Sequence, residues 1–183
     1  MLTIILIIAL LLGFYTGYRR GLALQLIRLV GYIITFVLAT KYYQPLSEIV
    51  EMLVPFPSIQ PNTSLAFYDE ATSFYLDDAF YYAITFILIG VIGWLITNFL
   101  SLLFNKVMYY DFLNHVNAIG GGVVNLLITY VIIFFIFFVL SLIPVEFIQQ
   151  QFVDNPLAYH VVANTPFFSD FAAETWLNVN PFN

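Results

Sequence analysis

Arg28 is the residue whose chemistry first needs an account. It stands eight positions beyond Arg20 in the apolar run LALQLIRLVGYIITFVLAT. On a helix rising about 1.5 Å per residue it therefore lies about 12 Å deeper than Arg20 along the axis. A cation at such depth in hydrocarbon costs about 2.5–3.5 kcal/mol on insertion scales, and less where the side chain snorkels. Two readings stay open. Arg28 receives an anionic group, a lipid headgroup or a permeating anion; or it snorkels, or bonds to Asn98, Asn125 or free carbonyls.

Other chemistry-bearing types fall into no working pattern. His115 and His160 have no second ligand at helical spacing, so no metal site is expected, and both read as loop or interface residues. Asp69, Glu70, Asp77 and Asp78 lack a calcium-loop pattern and read as a solvated acidic face. Gly120-Gly121-Gly122 follows no strand and precedes no GK[ST], which excludes a P-loop. Ser, His and acid never form a nucleophile elbow, so neither an enzyme nor a cofactor is expected. The predicted spans hold no carboxylate to relay protons. Cysteine is absent, which removes thiolate chemistry and says nothing of the redox compartment.

The elements that must position Arg28 are membrane spans. Of the 183 residues, 62% are hydrophobic and 9% charged; soluble domains run near 25% charged. The fold class is all-α integral membrane, with four transmembrane helices as two helical hairpins. The spans are expected at about 2–18, 21–40, 79–104 and 119–143, within a single domain 1–183. The first is read as uncleaved, since no basic region precedes it and Arg19-Arg20 stand where a cleavage site would fall. Basic residues set the orientation: the Arg19-Arg20 turn and the Asn105–Ala118 loop with Lys106 are expected inside, and both termini outside. Segments 41–78 and 144–183 are then extracytoplasmic and hold nearly all the acid. In them short amphipathic interfacial helices are expected, one capped by Ser64 with Phe67, Tyr68, Ala71, Phe74 and Tyr75 on one face and Asp69, Glu70, Ser73 and Asp77 on the other. A net charge of −6 with five Lys and Arg excludes nucleic acid as a partner. The partners expected are the lipid bilayer and a second copy of the chain or another membrane protein.

Small and polar residues recur at helical spacing. The lanes are Gly13, Gly17 and Gly21; then Gly21, Gln25, Arg28, Tyr32 and Thr35; Gly90, Trp94, Asn98, Ser101 and Asn105; and Asn117, Gly121, Asn125 and Thr129. Helices in lipid gain little by hiding apolar surface from each other, so such lanes mark packing seams or else line a polar pathway.

The segment GYRRGLALQLIRLVGYIITFVLATKYYQPL carries Arg20-Gly21 at its turn, Gln25 one helical turn on, Gly31 mid-span and a Tyr-Tyr pair at its outer end. It resembles the start of the CvpA family, the colicin V production proteins of bacteria. Asn117, Gly121 and Asn125 fall where that family has Asn or Asp, then Gly, then Gly, and NPLAYHVVANTPFFSD resembles its C-terminal piece. That family often has basic residues after the first of these and further along the helix; here Ala118 and Ile128 stand near those places. The resemblance implies a bacterial cytoplasmic-membrane protein linked to toxin production or export and to envelope homeostasis, acting as an accessory scaffold. The competing class is a small channel or transporter subunit with Arg28 facing a polar pathway.

Overall fold

A computed structural model describes residues 2–57, 65–68, 75–103, 114–177 and 181–182. Among these residues every regular element is helical. The long helices are α1 (Leu2–Arg20), α2 (Leu22–Leu53), α3 (Leu76–Ser101) and α4 (Asn114–Leu142). The short α5 (Glu146–Val153), α6 (Pro156–Asn164) and α7 (Phe168–Ala172) follow, with a closing π-helical turn at Ala173–Leu177. In hydrocarbon a backbone must satisfy its own polar groups, which selects helix for runs this apolar. Helices α1 to α4 are each long and apolar enough to cross a membrane, yet only 17–22% of each apolar stretch is buried against protein. Most of their side chains are left for lipid to cover.

Several boundaries differ from the sequence expectation: α3 begins at Leu76 and α4 at Asn114, ahead of the expected 79 and 119, so Asn114–Ala118 is helix where a loop is expected. Arg19 and Arg20 are the last residues of α1 instead of a loop, and Gly21 alone makes the break. Helix α2 does not end at Thr40 but continues to Leu53, through Pro45, which forgoes one backbone bond without ending the helix. The extension carries Lys41, Glu48 and Glu51, so a hydropathy reading stops at Thr40 where the helix does not. The Asn105–Ala118 loop was expected to hold Lys106 and Asp111; both, with Asn105, lie outside the described residues.

The chain divides into two compact units. One comprises Met1–Ile4, Tyr42–Ile87 and Ile133–Asn183; the other comprises Ile5–Lys41 and Leu88–Ile132. The division follows charge. All five Lys and Arg belong to the second, and every Asp and Glu but Asp111 belongs to the first. They are called here the basic and the acidic unit.

The acidic unit is built on rings. Trp176 is fully buried, with Phe86 at 5.3 Å, Phe138 at 5.4 Å, Phe135 at 6.0 Å and Phe171 at 6.1 Å between ring centroids. A second cluster stacks Phe67 on Tyr159 at 4.6 Å and sets it edge-on to Phe152 at 5.2 Å. Gln149 closes the end of α4, whose last carbonyls lack helical partners. Its amide donates to the Ser141 and Ile143 carbonyls at 2.9 and 2.8 Å, while its own carbonyl accepts the Ala66 N–H at 2.9 Å. The Tyr68 hydroxyl meets Ser141 Oγ at 2.8 Å, and burial pushes its phenol well above the usual tyrosine range.

Phe67 and Tyr68 thus correct the expected interfacial helix. Leu65–Tyr68 is irregular, and both rings are buried in protein where a lipid-facing stripe was expected. Ser64, Asp69, Glu70, Ala71, Ser73 and Phe74 lie outside the described residues.

Among the described residues the Trp176 indole N–H has no hydrogen-bond partner, so Trp176 contributes packing. Trp176→Ala should therefore lower stability by about 3–5 kcal/mol. Trp176→Phe, which loses volume but no bond, should cost clearly less. Thermal unfolding in detergent, followed by circular dichroism, compares the two; equal melting of Trp176→Ala and the wild type would contradict a ring-built core.

Candidate functional site

The basic unit brings most of the small and polar lanes together. Helix α1 packs on α4 through its glycines. A Cβ on Gly17 would overlap the Gly121 carbonyl and the Asn125 side chain, and one on Gly13 would overlap Thr129. Backbones approach this closely only where no side chain stands between them. Asn125 then bonds across the seam, its amide donating to the Gly13 carbonyl at 2.6 Å and to Thr16 Oγ1 at 2.9 Å.

The same seam builds the elbow between α1 and α2. Gly21 sits at φ +78°, a left-handed conformation that closes α1 through its N–H to the Gly17 carbonyl at 3.0 Å. Arg19 and Arg20 lie in the last turn of α1, where the helix dipole favours cations. The first N–H groups of α2 have no helical partners. Asn117 supplies one, its Oδ1 accepting the Leu22 N–H at 2.8 Å.

Helix α2 lies on α3. Gly31 faces the Thr97 side chain, Gly93 faces Thr35, and the Asn98 amide reaches Tyr32 Oη at 3.3 Å as well as the Trp94 carbonyl at 2.7 Å. Gly93 and Thr97 lie outside the expected lanes, although they form a small pair four residues apart. The expected α3 lane divides instead. Ser101 is buried and Asn98 bonds toward α2, but a Cβ on Gly90 would meet nothing within 4 Å and Trp94 is 46% exposed.

Arg28 is only 6% exposed. Among the described residues it donates to neither the Asn98 nor the Asn125 side chain. Its Nε and Nη2 both donate to Ser101 Oγ, at 3.3 and 3.0 Å, and that hydroxyl donates in turn to the Asn98 carbonyl at 2.7 Å. Ser101 is the last residue of α3, so the guanidinium stands at a helix end of negative partial charge. One helical turn before it, Gln25 is fully buried, and among the described residues neither its Oε1 nor its Nε2 has a partner. Among the described residues, the basic unit contains no Asp or Glu.

Arg20 is exposed at the elbow. His115 is exposed in the first turn of α4, and His160 Nδ1 shares a hydrogen bond with Asn164 Oδ1 at 2.9 Å. Among the described residues no three His, Cys, Asp or Glu side chains converge as metal ligands.

Four long apolar helices, joined through glycine contacts and buried amides, define a multi-pass α-helical membrane protein. The chain belongs to the colicin V production protein family, whose family model matches residues 2–166. It is 29% identical over 179 residues to the uncharacterized transmembrane protein YshB of Bacillus subtilis (strain 168), covering 96% of this chain and 97% of that protein. No solved structure matches the chain.

Substitution separates the glycines of the seam from the open one. Gly17→Leu should cost at least about 1–3 kcal/mol, since the Gly121 backbone has no flexible end to move aside. Gly90→Ala should raise stability by about 0.5–1 kcal/mol, the ordinary helical preference for alanine. Melting in detergent reads both, and a destabilised Gly90→Ala would show that its space is filled.

Proposed function

We propose that this protein is an accessory scaffold of the bacterial cytoplasmic membrane, not an enzyme. It serves toxin (bacteriocin) production or export and, more broadly, envelope homeostasis. The observation that carries this reading is the closed α1/α4 seam. Where a methyl group on Gly17 would strike the backbone of Gly121, no lane remains for a solute along that seam, and Asn125 and Thr16 are engaged with each other. Membership of the colicin V production family supports the biological setting.

The orientation follows from the segregation of charge. Cytoplasmic loops carry the excess of Lys and Arg, so the Arg19-Arg20 elbow faces the cytoplasm and both termini lie outside. A homo-oligomer, or a complex with another membrane protein, is supported by α3. Gly90 offers open space, the exposed Trp94 ring stands one turn on, and Asn98 Oδ1 accepts no hydrogen bond from the described residues. The competing reading, a small channel or transporter subunit with Arg28 facing a polar pathway, draws on the buried cation alone.

Reconstituted in liposomes, the purified protein should pass no anion faster than protein-free vesicles, and in mild detergent its native mass should include a second copy or one retained partner. Flux that Arg28→Ala abolishes in a folded protein would sink the scaffold reading. The chain has no cysteine, so a single one placed at Ser58 reports topology cleanly. It should react with an impermeant reagent on intact cells; reaction only after lysis would reverse the orientation.

A further inference from the structure

We propose that the chain dips back into the bilayer after α6, so that the turn at 165–168 inserts the Phe167 ring among the acyl chains of the leaflet in which α4 ends. The partner is the lipid itself, and the inference is independent of the scaffold reading. It rests on depth. No charged residue stands between Val116 and Val145, and α4 covers most of that run. A bilayer has about 30 Å of hydrocarbon within about 40–45 Å overall, so each headgroup layer takes about 5–8 Å. Gln149 of α5 bonds to the Ser141 and Ile143 carbonyls, level with the end of α4. Phe152 meets Phe137 at 6.0 Å, further in. Phe168 then lies on Phe134 at 5.9 Å and on Phe135 at 5.7 Å. Phe134 is about 12 Å along the axis from Leu142, where α4 ends. Helix α3 gives the same depth. Phe171 and Trp176 lie on Phe86 at 6.2 and 5.3 Å, and Phe86 is about 12 Å from Asp78, the last charge before the span. That level lies beneath the headgroups.

The backbone at Phe167 is the second observation. Phe167 is 65% exposed, at φ +69° and ψ −46°. With the Phe168 N–H donating to the Pro166 carbonyl at 2.8 Å, this is a γ-turn of the strained hand. Its flanks are tied down. The Thr165 N–H donates to Ser169 Oγ at 2.9 Å, and the two hydroxyls donate to the Val161 and Val162 carbonyls at 2.6 and 2.7 Å. The turn sends adjacent rings opposite ways, Phe168 onto α4 and Phe167 outward. Strain that turned a phenyl ring toward water would add one cost to another; turned toward acyl chains, the same ring is taken out of water. A rival placement stands the last turns of α4 in water, and the exposed Asp170 and Glu174 favour it. It also wets Ile136, 46% exposed at the level of Phe134 and Phe135, together with Phe167. Insertion on one side accommodates the acids: Phe167 stacks on Phe171, while Asp170 and Glu174, four apart, form a separate lane that keeps to water.

The chain has no cysteine, so Phe167→Cys, Ile136→Cys and Asp154→Cys each carry one nitroxide label, at positions that are all exposed. With the full chain in liposomes, power saturation compares collisions with oxygen, which concentrates in hydrocarbon, and with a water-soluble nickel chelate. The labels at Phe167 and Ile136 should favour oxygen, and the one at Asp154 should favour nickel. A label at Phe167 that favours nickel overturns the proposal. If Ile136 then favours oxygen, the turn lies in a wet crevice; if Ile136 favours nickel too, the end of α4 stands in water. Should Phe167→Cys fail to fold, Phe167→Trp, which keeps a large outward ring, decides. Its added fluorescence should be quenched by lipids brominated near the glycerol end of the acyl chains, and quenching by aqueous iodide instead overturns the insertion.

Discussion

The contact of backbone with backbone at Gly17 and Gly121 is the constraint on which the basic unit depends. Lipid tails are as apolar as leucine, so helices in a bilayer gain nothing from merely meeting; they gain from dispersion at close range and from polar groups that bond across the gap. Removing both side chains brings the axes close enough for Asn125 to reach the Gly13 carbonyl and for Asn117 to cap Leu22. The elbow follows from the same approach. Gly21 provides the left-handed residue that ends α1, and its bare Cα leaves room for Asn117 over the start of α2. A side chain at any of these positions separates the helices and strands several buried polar groups at once.

Arg28 shows how such a frame handles charge. Its hydrogen bonds to Ser101 place it where α3 ends, and a helix end is one of the few sources of negative potential in a unit whose described residues hold no acid. Gln25 makes the arrangement asymmetric: the frame encloses an amide that it does not satisfy. Buried polar groups left unpaired are costly enough that their persistence calls for a specific cause.

Much of this was legible in the residues, for identifiable reasons. Four apolar runs of sufficient length give four helices whatever their packing, because hydrocarbon permits little else. The glycine lane of α1 and the Asn117, Gly121, Asn125 and Thr129 lane of α4 are visible because each is small or polar against an aliphatic background. Helix α3 is apolar on every side, so periodicity gives no inward direction, and Gly93 and Thr97 make the contact where the lane through Gly90 and Trp94 is expected. Arg28 was recognisable as a buried cation, but its partner was not, since Ser101 is an ordinary residue made special by standing at a helix end. Hydropathy also cut α2 short, because polarity marks where a lipid-facing surface stops and not where a backbone stops being helical.

The two units are held together by different forces, and the difference bears on what surrounds each. The acidic unit rests on Trp176 and its ring of phenylalanines, and on the stack of Phe67 with Tyr159. Burying rings is strongly favourable when unfolding would expose them to water, and much less so when it would expose them to lipid. The described contacts of the basic unit are glycine approach and amide bonds, which retain their worth in hydrocarbon. Charge follows the same partition: ten of the eleven Asp and Glu residues fall in the ring-built unit, and charge is tolerated where water solvates it. Packing mode and charge are independent properties of the sequence, and both divide it in the same way.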